Sequence, residues 1–289
     1  MSHTYTTLIS AQQLRALLQA PAPRPVIVET SFDLADVNAG ERGWRDGHVP
    51  GSHYLHLDRD LSGAKVGPDG VFKGRHPLPE RGDFAHMLAR IGVLPQTQVV
   101  ALDRQGGMYA ARAWWLLRWM GHSAVAVLDG GVAAWAQAGE QLTTDPASPT
   151  GSPTPYPDRM PLASILGAGA LAARLGRVRL IDARAGERFR GEVEPLDAAA
   201  GHIPGALNRF FKDNLRADGC FKPAEQLRAE FAPLLGGQGG GDVVHQCGSG
   251  VTACHNLLAM EHAGLTGSLL YPGSWSEWSA DPARPIARG

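Results

Sequence analysis

Cysteine is scarce in this chain, and neither sign of charge prevails. Cys220, Cys247 and Cys254 are an odd, sparse set in 289 residues. Such a set does not make a disulfide framework and points to a reducing compartment, which we take to be the cytoplasm. Lys and Arg number 27 against 28 Asp and Glu, for a formal net charge of -1. A near-neutral chain carries no basic field for nucleic acid or an anionic membrane, so neither is expected as a partner. No run of about 18 apolar residues occurs, so no bilayer-spanning helix is expected. The opening MSHTYTTLISAQQL lacks the basic stretch and apolar core of a secretory leader. The phosphate-cradling pattern G-x-x-x-x-G-K-[ST] is missing, and so is the C-x2-C pair that zinc sites favour.

At 44% hydrophobic residues the chain can bury a core, which argues against disorder. Its length suits one large domain or two ordinary ones, and an internal repeat decides for two. VIVETS (26–31), GHVPGSHYLHLD (47–58), VVALDRQGGMYAAR (99–112) and VLDGGVAAW (127–135) form the first set. They return in the same order as LIDAR (180–184), GHIPGALNRFF (201–211), VVHQCGSGVTACHN (243–256) and LLYPGSWSEW (269–278). One such match arises easily by chance, but four in order do not. Between the halves, QLTTDPASPTGSPTPYPDRMP (141–161) is rich in Pro, Ser and Thr and reads as an extended linker. The expected domains are therefore residues 1–140 and 162–289.

Short β-branched runs alternate with helical patterns in each half. That predicts an α/β fold twice over, each a mostly parallel sheet with helices on both faces. RAWWLLRWMG (112–121) and CHNLLAMEHAG (254–264) each end in a glycine suited to closing a helix. Ligands of such sheets bind at the carboxyl ends of strands. The loop CGSGVT, which follows the strand-like VVHQ, falls there.

Four readings of that loop compete. A metal site is poorly served by cysteines spaced C-x6-C, and His245 and His255 would point apart from a strand and a helix. The cysteine count disfavours a disulfide. A cysteine-dependent phosphatase needs an arginine to close the loop over a phosphate, and that position is Ala253. A nucleophile fits best. A tight loop before a helix surrounds Cys247 with amide N–H groups, which favour a thiolate or a persulfide. Gly248 and Gly250 are expected to let the backbone curl, including at positive φ. Ser249 adds a hydroxyl. The plainer alternative, Cys247 as a small buried hydrophobe, sits badly with its polar and glycine neighbours. The repeat places Asp103 opposite Cys247, so only the second half carries the sulfur. Cys254 and Cys220 read as structural.

With GHVPG and GHIPGA, RFRGE at 188–192, the Cys247 loop and the closing GSWSEW, the chain resembles the two-domain rhodanese-type sulfurtransferases over nearly its whole length. The resemblance implies two similar α/β domains with the active site on the second domain's loop. It implies a ping-pong reaction in which a donor leaves sulfane sulfur on Cys247 and a thiol or cyanide removes it. Neither metal nor cofactor is implied. Thioredoxin joins the candidate acceptors, and a monomer is expected.

Relatives that favour thiosulfate carry basic residues just after the cysteine. Here those positions are Gly248 and Ser249, and the loop looks like that of 3-mercaptopyruvate sulfurtransferases. In those enzymes the serine is thought to work with a histidine and an aspartate of the first domain, matched here by His76 and Asp58, with Asp60 as a rival for the latter. Arg188 matches the arginine for the substrate carboxylate. Arg184 and the loop residues Gly250, Val251 and Thr252 are placed beside the substrate, with Asp182 orienting the loop from behind. Such enzymes usually carry a second arginine in an E-P-R context, where this chain has Leu196. A lost charged hydrogen bond typically costs about 1.5–3 kcal/mol, so weaker binding of mercaptopyruvate, or a different donor, is expected, and Leu196→Arg should improve its use. Thiosulfate is the alternative donor, and a non-catalytic sulfur-carrying or regulatory module is the alternative class. His48 and His202 recur in both halves and read as turn-fixing residues.

Overall fold

The structure is a computed structural model that describes residues 4–21, 23–147 and 151–289. Residues 1–3, the start of the MSHTYTTLISAQQL stretch, and residues 148–150 of the expected linker lie outside the described residues. The chain divides into two units. One holds Met1–Ser62, Pro79–Leu162 and Ala217–Cys220, and the other holds Gly63–Leu78, Ala163–Arg216 and Phe221–Gly289. Gly63–Leu78 thus groups with the second unit and Ala217–Cys220 with the first.

In the first unit the chain runs β1 (Leu8–Ile9), α1 (Ala11–Gln19), β2 (Val26–Glu29), α2 (Ala39–Asp46) and β3 (Ser52–Tyr54). It continues through α3 (Arg81–Arg90), β4 (Val99–Leu102), α4 (Ala110–Trp119), β5 (Val125–Leu128) and α5 (Gly131–Gln137). The sheet order is β1-β5-β4-β2-β3, with every pair parallel. Sequence explains the middle of the sheet: VVAL and VAVL are apolar throughout and buried throughout, as strands covered on both faces must be. Ser10 and Gln13 close a capping box at the start of α1. Gly121, at φ +80°, follows the end of α4 as its sequence suggested. Beyond residue 150 the segment joining the two halves is tied to the first unit. Its Ser152 and Tyr156 N–H groups donate to Ala89 and Ala85 of α3, and buried Tyr156 bonds His122 at 3.0 Å.

The second unit repeats the plan with β6 (Ser164–Ile165), α6 (Ala168–Ala172), β7 (Arg179–Asp182), α7 (Gly186–Arg190) and β8 (Leu207–Asn208). After these come α8 (Ala224–Leu235), β9 (Val243–Gln246), α9 (Ala253–His262), β10 (Leu269–Leu270) and α10 (Ser274–Ala280). Its strand order, β6-β10-β9-β7-β8, is again parallel at every pair. Trp275 and Trp278 are fully buried in its core with Leu171, Leu180, Ile203 and Val244. Trp114 and Trp115 are core residues of the first unit.

Candidate active site

β9 is central and wholly buried, and its last residue, Gln246, stands opposite Asp182 at the end of β7. Cys247 is therefore the first residue past the carboxyl edge of the sheet, and α9 begins at Ala253. The loop between them is clamped by the GSWSEW segment. The N–H of Cys247 donates to Ser274 Oγ at 3.1 Å. The N–H groups of Trp275 and Ser276, in the first turn of α10, donate to the carbonyls of Cys247 and Gly248 at 3.0 and 2.9 Å. Ser274 sits at φ +52°, alone among the described non-glycine residues in that region. That conformation costs about 1–3 kcal/mol, and it aims the hydroxyl at the Cys247 amide. In the sequence this segment stands only as a family-like motif, and Ser274 went unread.

The two loop glycines differ in their reasons. Gly250 has φ +75°, and a Cβ there would stand 2.2 Å from the Pro272 carbonyl oxygen, so nothing larger fits. Gly248 does not adopt positive φ, contrary to expectation. A Cβ on it would instead meet two guanidiniums, Arg75 Nη2 at 2.8 Å and Arg188 Nη1 at 3.5 Å. Gly248 is small because arginines lie over it.

The sister loop of the first unit shows what this frame holds. Asp103 is fully buried. Its carboxylate accepts from four backbone N–H groups, those of Gln105, Gly107, Tyr109 and Ala110, at 2.7–2.9 Å. This is a cradle for an anion built from the loop and the first turn of a helix. At the equivalent position of the second unit stands Cys247, whose side chain is also buried.

Ser249 and His76 come together: Oγ and Nδ1 are 2.8 Å apart, and both residues are buried. His76 belongs to Gly63–Leu78, so both partners lie in the second unit. Arg75 N–H donates to Ser276 Oγ at 3.0 Å, fixing that segment to the helix that clamps the loop. Asp58 and Asp60 belong to the first unit. Asp60 is committed there, accepting the His56 N–H at 2.8 Å.

The arginines separate by environment. Arg184 is buried and bonded to Asp182 at 2.7–3.1 Å, to the Gly201 carbonyl at 2.8 Å and to Glu194 at 3.4 Å. Its guanidinium lies over Trp275, 4.8 Å from the ring centre. Arg184 is fastened to Asp182, and both are cut off from water. Asp182 is the buried last residue of β7. Arg188 is partly exposed and bonds Glu194 at 2.6 and 2.9 Å and Asp197 at 3.3 Å. Asp197 also pairs with Arg75, and burial pushes its carboxyl above the usual range despite that arginine's pull. Leu196 is 44% exposed. Arg75, Glu194 and Asp197 went unread in the sequence, where only the neighbouring His76 and Leu196 drew notice.

His48 and His202 fix turns, as their recurrence implied. His48 bonds the carbonyls of Trp44 and Asp145 at 2.7 and 3.0 Å, and His202 bonds that of Phe189 at 2.8 Å. His245 faces Met260 Sδ at 3.1 Å, while His255 takes Asn214 at 3.1 Å. Among the described residues no group of three or more His, Cys, Asp or Glu side chains could hold a metal ion.

Burial pushes His245 down to about 3. The folded protein holds this ring neutral, whereas the unfolded chain protonates it near 6.5. Its contribution to stability is intact above about pH 6.5 and is lost as pH falls from there toward about 3, at up to about 1.4 kcal/mol per pH unit. Denaturant titrations from pH 7 to pH 4 should show His245→Leu with a shallower acid loss than wild type. Equal slopes would contradict the assignment.

The model of the Rhodanese-like domain matches twice, over residues 10–138 and 168–281. The chain is 47% identical to a Pseudomonas aeruginosa protein named as a probable 3-mercaptopyruvate sulfurtransferase, covering 98% of both chains. It is 39% identical to a Mycobacterium tuberculosis protein provisionally named a thiosulfate sulfurtransferase, covering 98% of this chain and 97% of that one. Among solved structures, the 3-mercaptopyruvate sulfurtransferase from Leishmania major superposes with a TM-score of 0.82 at 28% identity, over 95% of this chain and 74% of the other. Among the described residues no helix is long and apolar enough to cross a membrane.

Proposed function

The chain belongs to the rhodanese family of sulfurtransferases, and we propose that it moves sulfane sulfur from 3-mercaptopyruvate to a thiol or cyanide through a persulfide on Cys247. The Cys247 thiolate attacks the donor's sulfur. The donor's C–S bond breaks, its electron pair passes into the pyruvate enolate, and the donor sulfur stays on Cys247 as Cys–S–SH. Protonation of the enolate gives pyruvate. A thiolate or cyanide then attacks the outer sulfur, leaving as a persulfide or thiocyanate and restoring the thiolate. The loop amides hold the sulfur anion in both forms. Ser249 donates to the donor's carbonyl oxygen as enolate charge develops, with His76 behind it. Arg188 binds the donor's carboxylate, and Arg184 and Asp182 position the loop. Asp58 keeps a candidate role through the resemblance alone.

The observation that carries the donor assignment is the 2.8 Å Ser249–His76 contact, two residues beyond a buried cysteine in a loop free of basic residues. Mass spectrometry after treatment with 3-mercaptopyruvate should show one added sulfur atom on Cys247. A protein that turns over with no such adduct would overturn the reading. Ser249→Ala and His76→Asn should each lower kcat by about 10- to 100-fold, and the double variant should be no worse than the weaker single. Full additivity would separate the two residues' roles.

Thiosulfate is the second reading, favoured by the two guanidiniums over Gly248, since cations suit a dianion. The ratio of kcat/KM for the two donors decides, and a clear thiosulfate preference would overturn the assignment drawn from Gly248 and Ser249. A non-catalytic carrier would show instead a Cys247 that resists alkylation at neutral pH. All three cysteines are thiols, which supports a reducing, cytoplasmic setting. Thioredoxin among the acceptors and a monomeric state complete the proposal.

A further inference from the structure

Two arginines meet where the sequence offered one. A Cβ on Gly248 would lie 2.8 Å from Arg75 Nη2 and 3.5 and 3.7 Å from the two Arg188 Nη atoms. Both guanidiniums thus overhang the residue next to the nucleophile. Each also keeps a buried Nε–H with no hydrogen-bond partner. Buried orphan donors are costly, and these two Nε–H groups keep unspent capacity to bind an anion. The two arginines share one partner: Asp197 accepts from Arg75 and, at 3.3 Å, from Arg188. A carboxylate of the chain itself therefore bridges them. Leu196, where a second arginine was expected, is 44% exposed.

We propose that Arg75 and Arg188 together form the subsite for the donor's carboxylate, and that Asp197 occupies it until the donor displaces it. Arg75 thereby supplies the cation that Leu196 lacks and sets specificity for α-keto-acid donors. The proposal rests on the keto-acid donor reading above, and it makes a claim of its own about anion binding that turnover does not decide. The fork geometry of two guanidiniums matches a carboxylate with charge-assisted bonds.

Two measurements test it. Calorimetry gives the Kd of pyruvate, which carries the same α-keto carboxylate and no transferable sulfur. Steady-state kinetics compare 3-mercaptopyruvate with mercaptoacetone, the same thiol ketone without a carboxylate. Arg75→Met should raise the pyruvate Kd and the mercaptopyruvate KM by about 10- to 100-fold, with kcat held within about threefold. It should leave kcat/KM for mercaptoacetone within about threefold of wild type, because that donor has nothing for the arginine to bind. Arg75→Lys, which keeps the charge and loses the fork, should fall between and guards against a misfolded Met variant. Asp197→Asn should tighten pyruvate. Leu196→Arg should change KM by less than about threefold, since the second cation is already present.

An unchanged pyruvate Kd in Arg75→Met, equal losses on both donors, or no pyruvate binding by wild type would overturn the subsite. Unchanged or weaker pyruvate binding by Asp197→Asn would overturn its role as occupant. If wild type binds pyruvate through Arg75 yet loads no sulfur from mercaptopyruvate, the subsite stands and the donor reading falls.

Discussion

Cys247→Ser is expected to lower kcat/KM for 3-mercaptopyruvate by about 10^4-fold or more, with the fold intact. The size follows from the chemistry. Removing a covalent nucleophile elsewhere costs on the order of 10^6 in kcat, with the residue of activity coming from the surrounding binding groups. A serine hydroxyl in the same cradle is far less acidic than a thiol and far less nucleophilic towards sulfur, so the first half-reaction has no substitute route. The fold should survive because the change exchanges one small buried atom for another, while the clamps on the loop use backbone groups: the Cys247 N–H on Ser274 and the Cys247 carbonyl under Trp275. Cyanide-dependent turnover with either donor gives the loss, and circular dichroism gives the control. Full turnover by the serine variant would remove Cys247 from the mechanism.

Cys247 itself was legible from sequence because its signals are local. A β-branched run, a polar stop, a cysteine, glycines and a helix lie within one short stretch, and the strand really ends at Gln246 and the helix really starts at Ala253. The repeat was equally plain: both sheets have the same strand order and are wholly parallel. What stayed hidden is what comes from far along the chain. Arg75 reaches Asp197 across 122 positions, and Ser249 meets His76 across 173, a pairing that the resemblance alone suggested. Periodicity reports which face of an element is buried. It carries no information about which loops converge at one end of a sheet. The reason for Gly248 was hidden for the same cause: its smallness answers arginines from two other segments, while that of Gly250 answers its own φ and the nearby Pro272. Arg184 stands out in sequence as a charge in a motif, whereas its burial and its partner Asp182 come only from the fold.

The second large effect falls on a residue far from sulfur chemistry. Asp103→Ala is expected to destabilise the first unit by roughly 3–5 kcal/mol, the usual cost of removing one partner from a buried charged network. Four amide N–H groups converge on this carboxylate at 2.7–2.9 Å. Taking it away leaves four buried donors facing a cavity, each carrying its own desolvation cost. Asp103→Asn keeps the shape but exchanges one accepting oxygen for an NH2 that must face N–H groups, so it should lose about half as much. Urea unfolding gives the totals. Hydrogen exchange localised to β4 and α4 shows whether the loss lies where the cradle sits. An alanine variant within about 1 kcal/mol of wild type would mean that the amides find other partners. The expected loss bears on function because the loop frame occurs twice. In one copy evolution has filled the cradle with a permanent anion that gives the loop its shape. The other copy holds Cys247 at that position, and on the proposed mechanism its own loop amides favour the sulfur as thiolate and as persulfide.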